Sequence, residues 1–203
     1  MAGFLGLILI SPLFILTAVL VMYYNGKPVI FTQVRPGYNE KPFKMIKFRS
    51  MTNETDVSGN LLPNEKRLTD FGRFLRQTSL DELPELLNVI KGEMSLVGPR
   101  PLIMDYLPYF TDEQRKRHTV KPGITGWSQI NGRNAIDWDT KLALDVWYVE
   151  NQTFWLDMKI LVITILKVFK REGITHEGSV AMPRFDEYVN KKRQRSSYTD
   201  SDN

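Results

Sequence analysis

Two adjacent acidic residues, Asp81 and Glu82, are the side chains in this sequence best suited to covalent chemistry. Arg76 lies a few residues before them, and Arg100 follows between two prolines that restrict its backbone. An ionised carboxylate can act as a nucleophile, and arginine binds phosphate oxygens through paired hydrogen bonds. The combination predicts a carboxylate nucleophile beside a phosphate-binding site.

The same acidic pair also fits a purely structural role. Ser79 and Glu82 have the spacing of a capping box, and Asp81 in a first helical turn would interact favourably with the helix dipole. Apolar residues at helical spacing predict a helix over residues 80–91, although Pro84 would remove an early hydrogen bond and delay or distort its start. Capping and catalysis are compatible, because a carboxylate near a helix N-terminus stays ionised.

The composition limits the function classes. The 203 residues, 42% of them apolar, are enough for one membrane segment and one domain with a hydrophobic core. All charged residues follow Gly26, and 27 basic against 23 acidic side chains give a net charge of +4. This surplus favours an anionic partner, but the acidic residues are interspersed and leave no basic stripe that would single out nucleic acid. Nucleotide or lipid phosphate fits equally well.

The absence of cysteine excludes disulfides, thiol catalysis and cysteine metal sites. A zinc site or a histidine-based triad would depend on His118 or His176, which are far apart in the sequence. A divalent cation held by carboxylates and substrate phosphates is compatible with the sequence, and magnesium usually binds in this way.

The first 26 residues, Met1 to Gly26, carry no charge and predict contact with a membrane. A cleaved signal peptide is the weakest explanation, since no basic residue precedes the apolar run. A spanning helix has the length that it needs, but Ser11-Pro12 near its middle predicts a break into two short limbs. A segment that enters and leaves one leaflet is the third alternative. Basic residues after the run predict that the remainder lies in the cytoplasm.

The rest of the chain is predicted to form a mainly helical domain with a small β-hairpin. Branched and aromatic residues predict the hairpin from strands 29–34 and 43–51, and polar residues predict a mobile loop at 53–64. Periodicity predicts helices at residues 68–77, 80–91, 103–118, 140–151 and 154–171. The last helix fits the core or a bilayer surface, with the core favoured. Residues 184–203 are polar and are predicted to be disordered.

Residues 121–134 contain three glycines together with Trp127 and Arg133. Glycines would let backbone amides approach an anion closely, but a connecting loop explains the composition equally well. The sequence leaves both interpretations open.

Six segments, in this order, resemble the bacterial sugar transferase family of monotopic phosphoglycosyl transferases, and the resemblance covers nearly the whole chain. They are Ser11-Pro12, residues 29–37 (VIFTQVRPG), 47–51 (KFRSM), 78–84 (TSLDELP), 94–102 (MSLVGPRPL) and 121–134 (KPGITGW through NGRN). Each motif alone is weak, whereas six in sequence are specific. The compact chain is similar to the small, single-domain members of the family.

The resemblance implies an α+β fold in which residues 1–26 form a re-entrant membrane helix with both ends on the cytoplasmic side. Residues 27–183 would be the catalytic domain, on the cytoplasmic face of the bacterial inner membrane, and residues 184–203 the disordered tail. In one respect the chain departs from the family. Members usually begin with a basic stretch and an acid before the apolar run, whereas this chain starts almost inside it.

The resemblance also implies a reaction between a uridine diphosphate (UDP) sugar and polyprenyl phosphate, with the bilayer as a third partner of the protein. A phosphosugar, with an N-acetylated amino sugar suggested for a small member, would move to the lipid, and uridine monophosphate (UMP) would leave. Asp81 matches the family's nucleophile and Glu82 its dyad partner, and both are the expected ligands of Mg2+. The matched residues expected near the phosphates are Arg76, Arg100, Arg133 and the acid Asp157. Assembly into a homo-oligomer is left open.

Two other classes of protein are alternatives. In a membrane-anchored binding or scaffold protein, the acidic pair would only cap a helix, and no nucleotide sugar would turn over. In a basic nucleic-acid-binding domain, affinity would fall steeply with salt, but the uncharged N-terminus would have no explanation.

Overall fold

A computed structural model describes the chain over residues 2–132, 136–170 and 183–199. The helices in these ranges are α1 (Ala2–Asn25), α2 (Asn64–Arg67), α3 (Asp70–Thr78), α4 (Glu85–Ile90), α5 (Asp112–Arg115), α6 (Trp127–Asn131), α7 (Trp138–Asn151), α8 (Phe154–Lys170) and α9 (Phe185–Thr199). The strands are β1 (Ile30–Pro36), β2 (Pro42–Phe48), β3 (Ser95–Val97) and β4 (Gly123–Thr125). Short 3-10 turns occupy Tyr38–Glu40, Leu80–Glu82, Met104–Tyr109 and Lys116–His118. The predicted mixed, mainly helical fold is confirmed.

The predicted hairpin is present as the antiparallel pair β1–β2. Because side chains alternate across a strand, Gln33 and Arg35 share a face with Met45 and Lys47 on the partner strand, and all four line one cavity. Met45 is buried beside Met94 in a small apolar cluster. One face of the hairpin therefore forms a wall of the cavity, to which it contributes both the apolar Met45 and the charged Arg35 and Lys47.

A second, parallel pair, β3–β4, was not predicted from the sequence. Its close approach requires glycine, because a side-chain carbon on Gly123 would lie 2.1 Å from the backbone nitrogen of Gly98. Gly98 in turn donates to the carbonyl of Thr125 at 2.9 Å. Gly123 therefore serves strand packing rather than the approach of an anion, and the pairing fixes the start of the turn that carries Arg100.

Helix α1 runs without interruption through Ser11 and Pro12. Proline removes one hydrogen bond and the remaining ones continue the helix, whereas the predicted kink between two limbs stays a prediction. Val21, near the end of α1, is fully buried against Phe48 and Leu75. Among the residues that the structure describes, no helix is both long enough and apolar enough to cross a membrane.

The predicted helices 68–77, 140–151 and 154–171 correspond to α3, α7 and α8 within two residues at each end over the described part. The single helix predicted for 103–118 is wrong. Its segment contains two 3-10 turns and α5, because Pro108 supplies no backbone donor and a capping box of Thr111 and Gln114 starts a new helix. In the predicted loop 53–64, an isolated bridge joins Thr55 to Leu61, and its mobility stays a prediction.

The predicted disorder after residue 184 is wrong for the described part of the tail, which forms α9. Phe185 is 1% exposed and packs in an aromatic cluster with Tyr106 and Trp138. Tyr188 donates a hydrogen bond to Asp139 Oδ2 at 2.6 Å. Two aromatic anchors therefore outweigh the polar composition that predicted disorder, and residues 200–203 lie outside the described ranges.

Candidate active site

Asp81 and Glu82 lie in a 3-10 turn between α3 and α4. Ser79, just before it, has a left-handed backbone (φ 56°), ends α3 as its C-cap and makes no side-chain capping bond to the turn. The predicted capping box is therefore wrong, because the chain reverses at Ser79 instead of starting a regular helix there. The delayed helix start expected from Pro84 is confirmed, since α4 begins at Glu85.

Glu82 is held by two cations from distant parts of the chain. Lys47 Nζ lies 2.9 Å from Glu82 Oε1, and Arg100 donates a hydrogen bond to the same oxygen. Burial pushes the pKa of Glu82 upward, but the charges of Arg100 and Lys47 outweigh burial and lower the pKa to about 2. Glu82 is thus ionised at neutral pH and holds both cations beside its neighbour.

Asp81 is only 8% exposed, yet its carboxylate forms no hydrogen bond or salt bridge with another residue in the described ranges. Burial and then the charge of Glu82 raise the pKa of Asp81 to about 6. Lys47, Arg100 and Arg76 oppose this rise in the pKa. Asp81 is therefore largely ionised at neutral pH but poorly stabilised, which are the properties of a ready nucleophile.

A third carboxylate, Glu85, was not identified from the sequence. It is 1% exposed, and Lys47 Nζ lies 3.0 Å from its Oε1, so Lys47 bridges Glu82 and Glu85. Burial and then the charge of Glu82 raise the pKa of Glu85. No motif distinguished this glutamate from others on helices, and its importance depends on the contact with β2.

Arg76 reaches the site because α3 lies directly against the end of the hairpin. A side-chain carbon on Gly72 would be 1.8 Å from the carbonyl oxygen of Ser50, so only glycine permits this approach. Arg76 Nε donates to Ser50 Oγ at 2.9 Å. Burial lowers the pKa of Arg76, whereas the nearby Asp81 raises it. The predicted proximity of Arg76 and Asp81 is therefore present in the structure.

Arg100 is fixed from behind by a buried ionic network. Arg117 donates to the backbone oxygen of Arg100 at 2.7 Å and to Asp145 Oδ2 at 2.8 Å. Ser128 donates to the other oxygen of Asp145 at 2.6 Å. The side chains of Arg117 and Asp145 are each 1% exposed. Sequence reasoning missed this pair because its members are 28 residues apart and belong to no common motif.

These side chains open onto a cavity of about 750 Å3. Asp81 and Glu82 line it together with seven basic residues: Arg35, Lys47, Arg49, Arg67, Arg76, Arg100 and Lys141. The excess of positive charge suits a ligand with several phosphate charges. The structure thus brings four of the predicted site residues together, and adds Lys47 and Ser50 from the 47–51 motif.

One further predicted site residue, Asp157, lies away from the cavity lining, and another falls outside the described residues. Asp157 does not line the cavity and instead accepts a hydrogen bond from Tyr148 at 2.7 Å. This hydrogen bond joins α7 to α8, and the role of Asp157 at the phosphates stays a prediction. Arg133 lies outside the described residues.

The carboxylates fit a magnesium ion only as part of a shared site. Within the described ranges, no group of three or more potential protein ligands could hold a metal. Asp81 has both oxygens free of other described residues, whereas Glu82 has Oε1 committed to Lys47 and Arg100. Magnesium commonly takes one or two carboxylates and completes its shell with water and phosphate oxygens. The donor set is compatible with that arrangement.

Comparison with known proteins agrees with the chemistry of this site. The description "bacterial sugar transferase" belongs to the family that matches residues 1–171. An uncharacterized sugar transferase, EpsL, of Bacillus subtilis is 58% identical over 175 residues, which are 86% of this chain and 87% of the relative. The exopolysaccharide production protein ExoY of Rhizobium meliloti is 37% identical, over 85% of this chain and 84% of the relative.

Longer relatives carry more specific names. The undecaprenyl-phosphate galactose phosphotransferase of Salmonella typhimurium is 43% identical over 82% of this chain, but the match spans only 38% of that relative. The UDP-glucose:undecaprenyl-phosphate glucose-1-phosphate transferase of Escherichia coli K12 is 43% identical over 80% of this chain and 37% of its own length. The resemblance seen in the six motifs is confirmed: the chain belongs to the bacterial sugar transferase family.

Proposed function

We propose that the chain is a phosphoglycosyl transferase that moves a sugar 1-phosphate from a UDP-sugar to polyprenyl phosphate. One observation carries the proposal. The Asp81 carboxylate is without a described partner, next to an ionised Glu82, in a cavity with seven basic residues. The names of the longer relatives, which specify undecaprenyl phosphate as the lipid, support the reaction class.

In the first half-reaction, an Asp81 oxygen attacks the sugar-bearing phosphorus of the donor. The bond from this phosphorus to the bridging oxygen breaks, and the electron pair leaves with UMP. Asp81 then carries the phosphosugar as an acyl phosphate. Arg76 and Arg100 border the Asp81 carboxylate and supply positive charge beside the phosphoryl group that is transferred.

In the second half-reaction, a phosphate oxygen of the lipid attacks the same phosphorus. The bond from Asp81 to phosphorus breaks, which regenerates the carboxylate and forms the polyprenyl diphosphosugar. Two separate steps let a soluble donor and a lipid acceptor use one site in turn. Glu82 holds Lys47 and Arg100 in place through both steps.

Magnesium is part of the proposal, with Asp81 and Glu82 as its protein ligands. A bound magnesium ion would neutralise phosphate charge and orient the diphosphate. Chelation should abolish UMP release and magnesium should restore it. Full activity in excess chelator would remove the ion from the mechanism.

We further propose that the reaction occurs on the cytoplasmic face of the bacterial inner membrane, with α1 as a re-entrant segment. The end of α1 is tied directly to the cavity rim, since Asn25 donates to the backbone oxygen of Arg49 at 2.7 Å. Helix α8 presents exposed Trp155 (78%), Val162 (57%) and Ile165 (55%), which suits the bilayer surface. Tags at Met1 and Asn203 should both be accessible only from the cytoplasm, and outside labelling of the first would refute the topology.

The sugar is the least constrained part of the proposal. Small family members suggest an N-acetylated amino sugar, whereas the names of the longer relatives specify galactose or glucose. A screen of UDP-sugars with UMP release as the readout separates these alternatives. The preferred donor should also give the fastest formation of the covalent adduct.

The decisive experiment incubates the full chain with the preferred donor and no lipid. We expect about one equivalent of UMP and a mass increase of one phosphosugar on Asp81. Asp81→Asn should give neither, whereas Asp139→Asn, which changes a carboxylate outside the cavity lining, should give both. An adduct on another residue would refute the nucleophile. Absence of turnover with every UDP-sugar would favour a scaffold protein instead.

A further inference from the structure

The cavity has two ends that the hairpin defines. Strand β1 begins at Ile30, beside the end of α1, where Asn25 contacts Arg49. Arg35 lies five residues further along β1, which corresponds to about 17 Å of extended chain. We call the end at Arg49 the near end and the end at Arg35 the far end.

Basic residues line both ends, and the acidic pair lies toward the near end, beside Lys47 and Arg76. At the near end, Arg76 contacts Ser50, the residue after Arg49. At the far end, Arg35 on β1 and Lys141 on α7 line the same cavity. Lys47 lies opposite Phe31, close to the near end of the hairpin, and binds Glu82. Arg100 interacts electrostatically with both Asp81 and Arg35, and so connects the acidic pair to the far end.

The far-end cations have no acidic partner among the described residues. Arg35 donates to Gln33 Oε1 at 2.6 Å, and its buried Nε has no hydrogen-bond partner within those residues. Lys141 Nζ lies 5.1 Å from the centre of the Trp138 ring. Partly buried cations without an acidic partner are unfavourable unless a ligand supplies the opposite charge.

The electrostatics agree with an anion site at the far end. Burial and then the charge of Arg100 lower the pKa of Arg35 to about 10. Burial also lowers the pKa of Lys141, with Asp145 opposing and Arg100 adding to the effect. The three cations therefore repel one another, and of the three Arg100 alone has a carboxylate partner within the described residues. A bound phosphate would relieve this repulsion.

We propose that Arg35 and Lys141 bind the phosphate that leaves with the nucleoside, and that the near end around Arg76 binds the phosphate of the lipid. The assignment rests on the proposed function. The last residue of α1, Asn25, contacts Arg49 at the near end, so a lipid phosphate would arrive there, and the far end is left for the soluble nucleotide. Different cations would then hold the nucleotide phosphate and the lipid phosphate while the two substrates react with Asp81 in turn.

The test measures binding of UMP to the full chain in detergent by calorimetry, without any turnover. Arg35→Gln and Lys141→Gln should each lower the affinity for UMP about tenfold or more, because each substitution removes a charge-assisted hydrogen bond. Arg76→Gln should change UMP affinity much less. Lys44→Gln, an exposed cation on β2 outside the cavity lining, controls for net charge and should leave the affinity unchanged. The affinity for inorganic phosphate should also fall in Arg35→Gln and Lys141→Gln, whereas the affinity for uridine should not change.

A short-chain polyprenyl phosphate supplies the reciprocal measurement. Its affinity should fall in Arg76→Gln and stay within twofold in Lys141→Gln. If Arg35→Gln fails to fold, Arg35→Lys tests the same position, with an expected smaller loss of UMP affinity.

The outcomes separate this inference from the proposed function. UMP binding that depends on Lys141, without any covalent adduct, would support the subsite and refute the transferase. Adduct formation with unchanged UMP affinity in both Arg35→Gln and Lys141→Gln would refute the subsite alone. A larger loss of UMP affinity in Arg76→Gln than in these variants would reverse the assignment of the two ends, and failure of the wild type to bind UMP would also overturn it.

Discussion

Two clusters of charged side chains meet at Arg100, one lining the cavity and the other behind it. In one, Arg117 and Asp145 form a 2.8 Å ion pair, and Ser128 and a backbone carbonyl use further hydrogen-bonding groups. In the other, Lys47 is shared by Glu82 and Glu85, Arg100 pairs with Glu82, and Asp81 has no partner within the described residues. The first cluster is balanced in charge and hydrogen bonding, whereas the second leaves one carboxylate uncompensated.

The difference separates positioning from reactivity. The balanced cluster holds the backbone of Arg100 in one place, because Arg117 binds its carbonyl. The unbalanced cluster leaves Asp81 with a raised pKa and an open path to the cavity. The Arg117–Asp145 network thus fixes Arg100 beside the poorly stabilised carboxylate of Asp81. The contribution of each cluster can be tested separately.

The largest expected effect is the loss of stability when the balanced pair is broken. Asp145→Asn leaves Arg117 buried without a counter-charge, which should lower the free energy of unfolding by about 3–5 kcal/mol. Denaturant unfolding followed by circular dichroism measures the change. Glu113→Gln, which breaks an exposed pair with Lys116, should have little effect. Equal losses of unfolding free energy in the two variants would mean that the buried Arg117–Asp145 pair contributes no more to stability than the exposed pair.

The unbalanced cluster should respond in the opposite direction. The pKa of Asp81 rises from 3.8 to about 6 on folding, so its ionisation opposes folding by about 3 kcal/mol above pH 6. Asp81→Asn should therefore stabilise the protein at pH 8, and the gain should disappear as the pH falls below 4, where both states bind the proton. Melting temperatures at the two pH values measure the difference. A lower melting temperature for Asp81→Asn than for the wild type at pH 8 would contradict the inference that ionised Asp81 destabilises the fold.

The next effect concerns Arg100, at the boundary between the two clusters. Arg100→Lys keeps the charge but loses the planar arrangement of donors, so kcat/KM for UMP release should fall about tenfold. Arg73→Lys makes the same change on α3 at a side chain that is 55% exposed, and should leave kcat/KM unchanged. Full activity of Arg100→Lys would show that its charge alone matters.

Three of the long helices and the hairpin could be predicted from local sequence patterns. Helices α3, α7 and α8 follow apolar periodicity, and the hairpin follows its branched residues and turn. The tail was mispredicted because composition was averaged over 20 residues, whereas one buried Phe185 and a hydrogen bond from Tyr188 stabilise α9. A few long-range contacts therefore outweighed a local signal.

The candidate site was predictable in its chemistry but not in its connections. Asp81, Glu82, Arg76 and Arg100 followed from residue types and motifs, and the structure brings them to one cavity. The capping interpretation failed because the backbone of Ser79 turns left-handed, which spacing does not reveal. Contacts such as Arg117 with Asp145 depend on how separate elements pack, and no local pattern contains that information.

The smallest expected effect is a shift in the pH dependence of the reaction, and it tests the coupling within the unbalanced cluster. Because Asp81 must be ionised to attack, kcat/KM for UMP release by the wild type should fall as the pH drops through about 6. The charge of Glu82 contributes to the raised pKa of Asp81. Glu82→Gln should therefore move the midpoint of the profile to lower pH, even where the maximal rate also falls, because Lys47 and Arg100 become free to stabilise the Asp81 carboxylate. Rates of adduct formation, normalised to each variant's maximum, separate the midpoint from the amplitude. A midpoint that stays in place or moves upward would mean that the carboxylates of Asp81 and Glu82 do not act as a coupled pair.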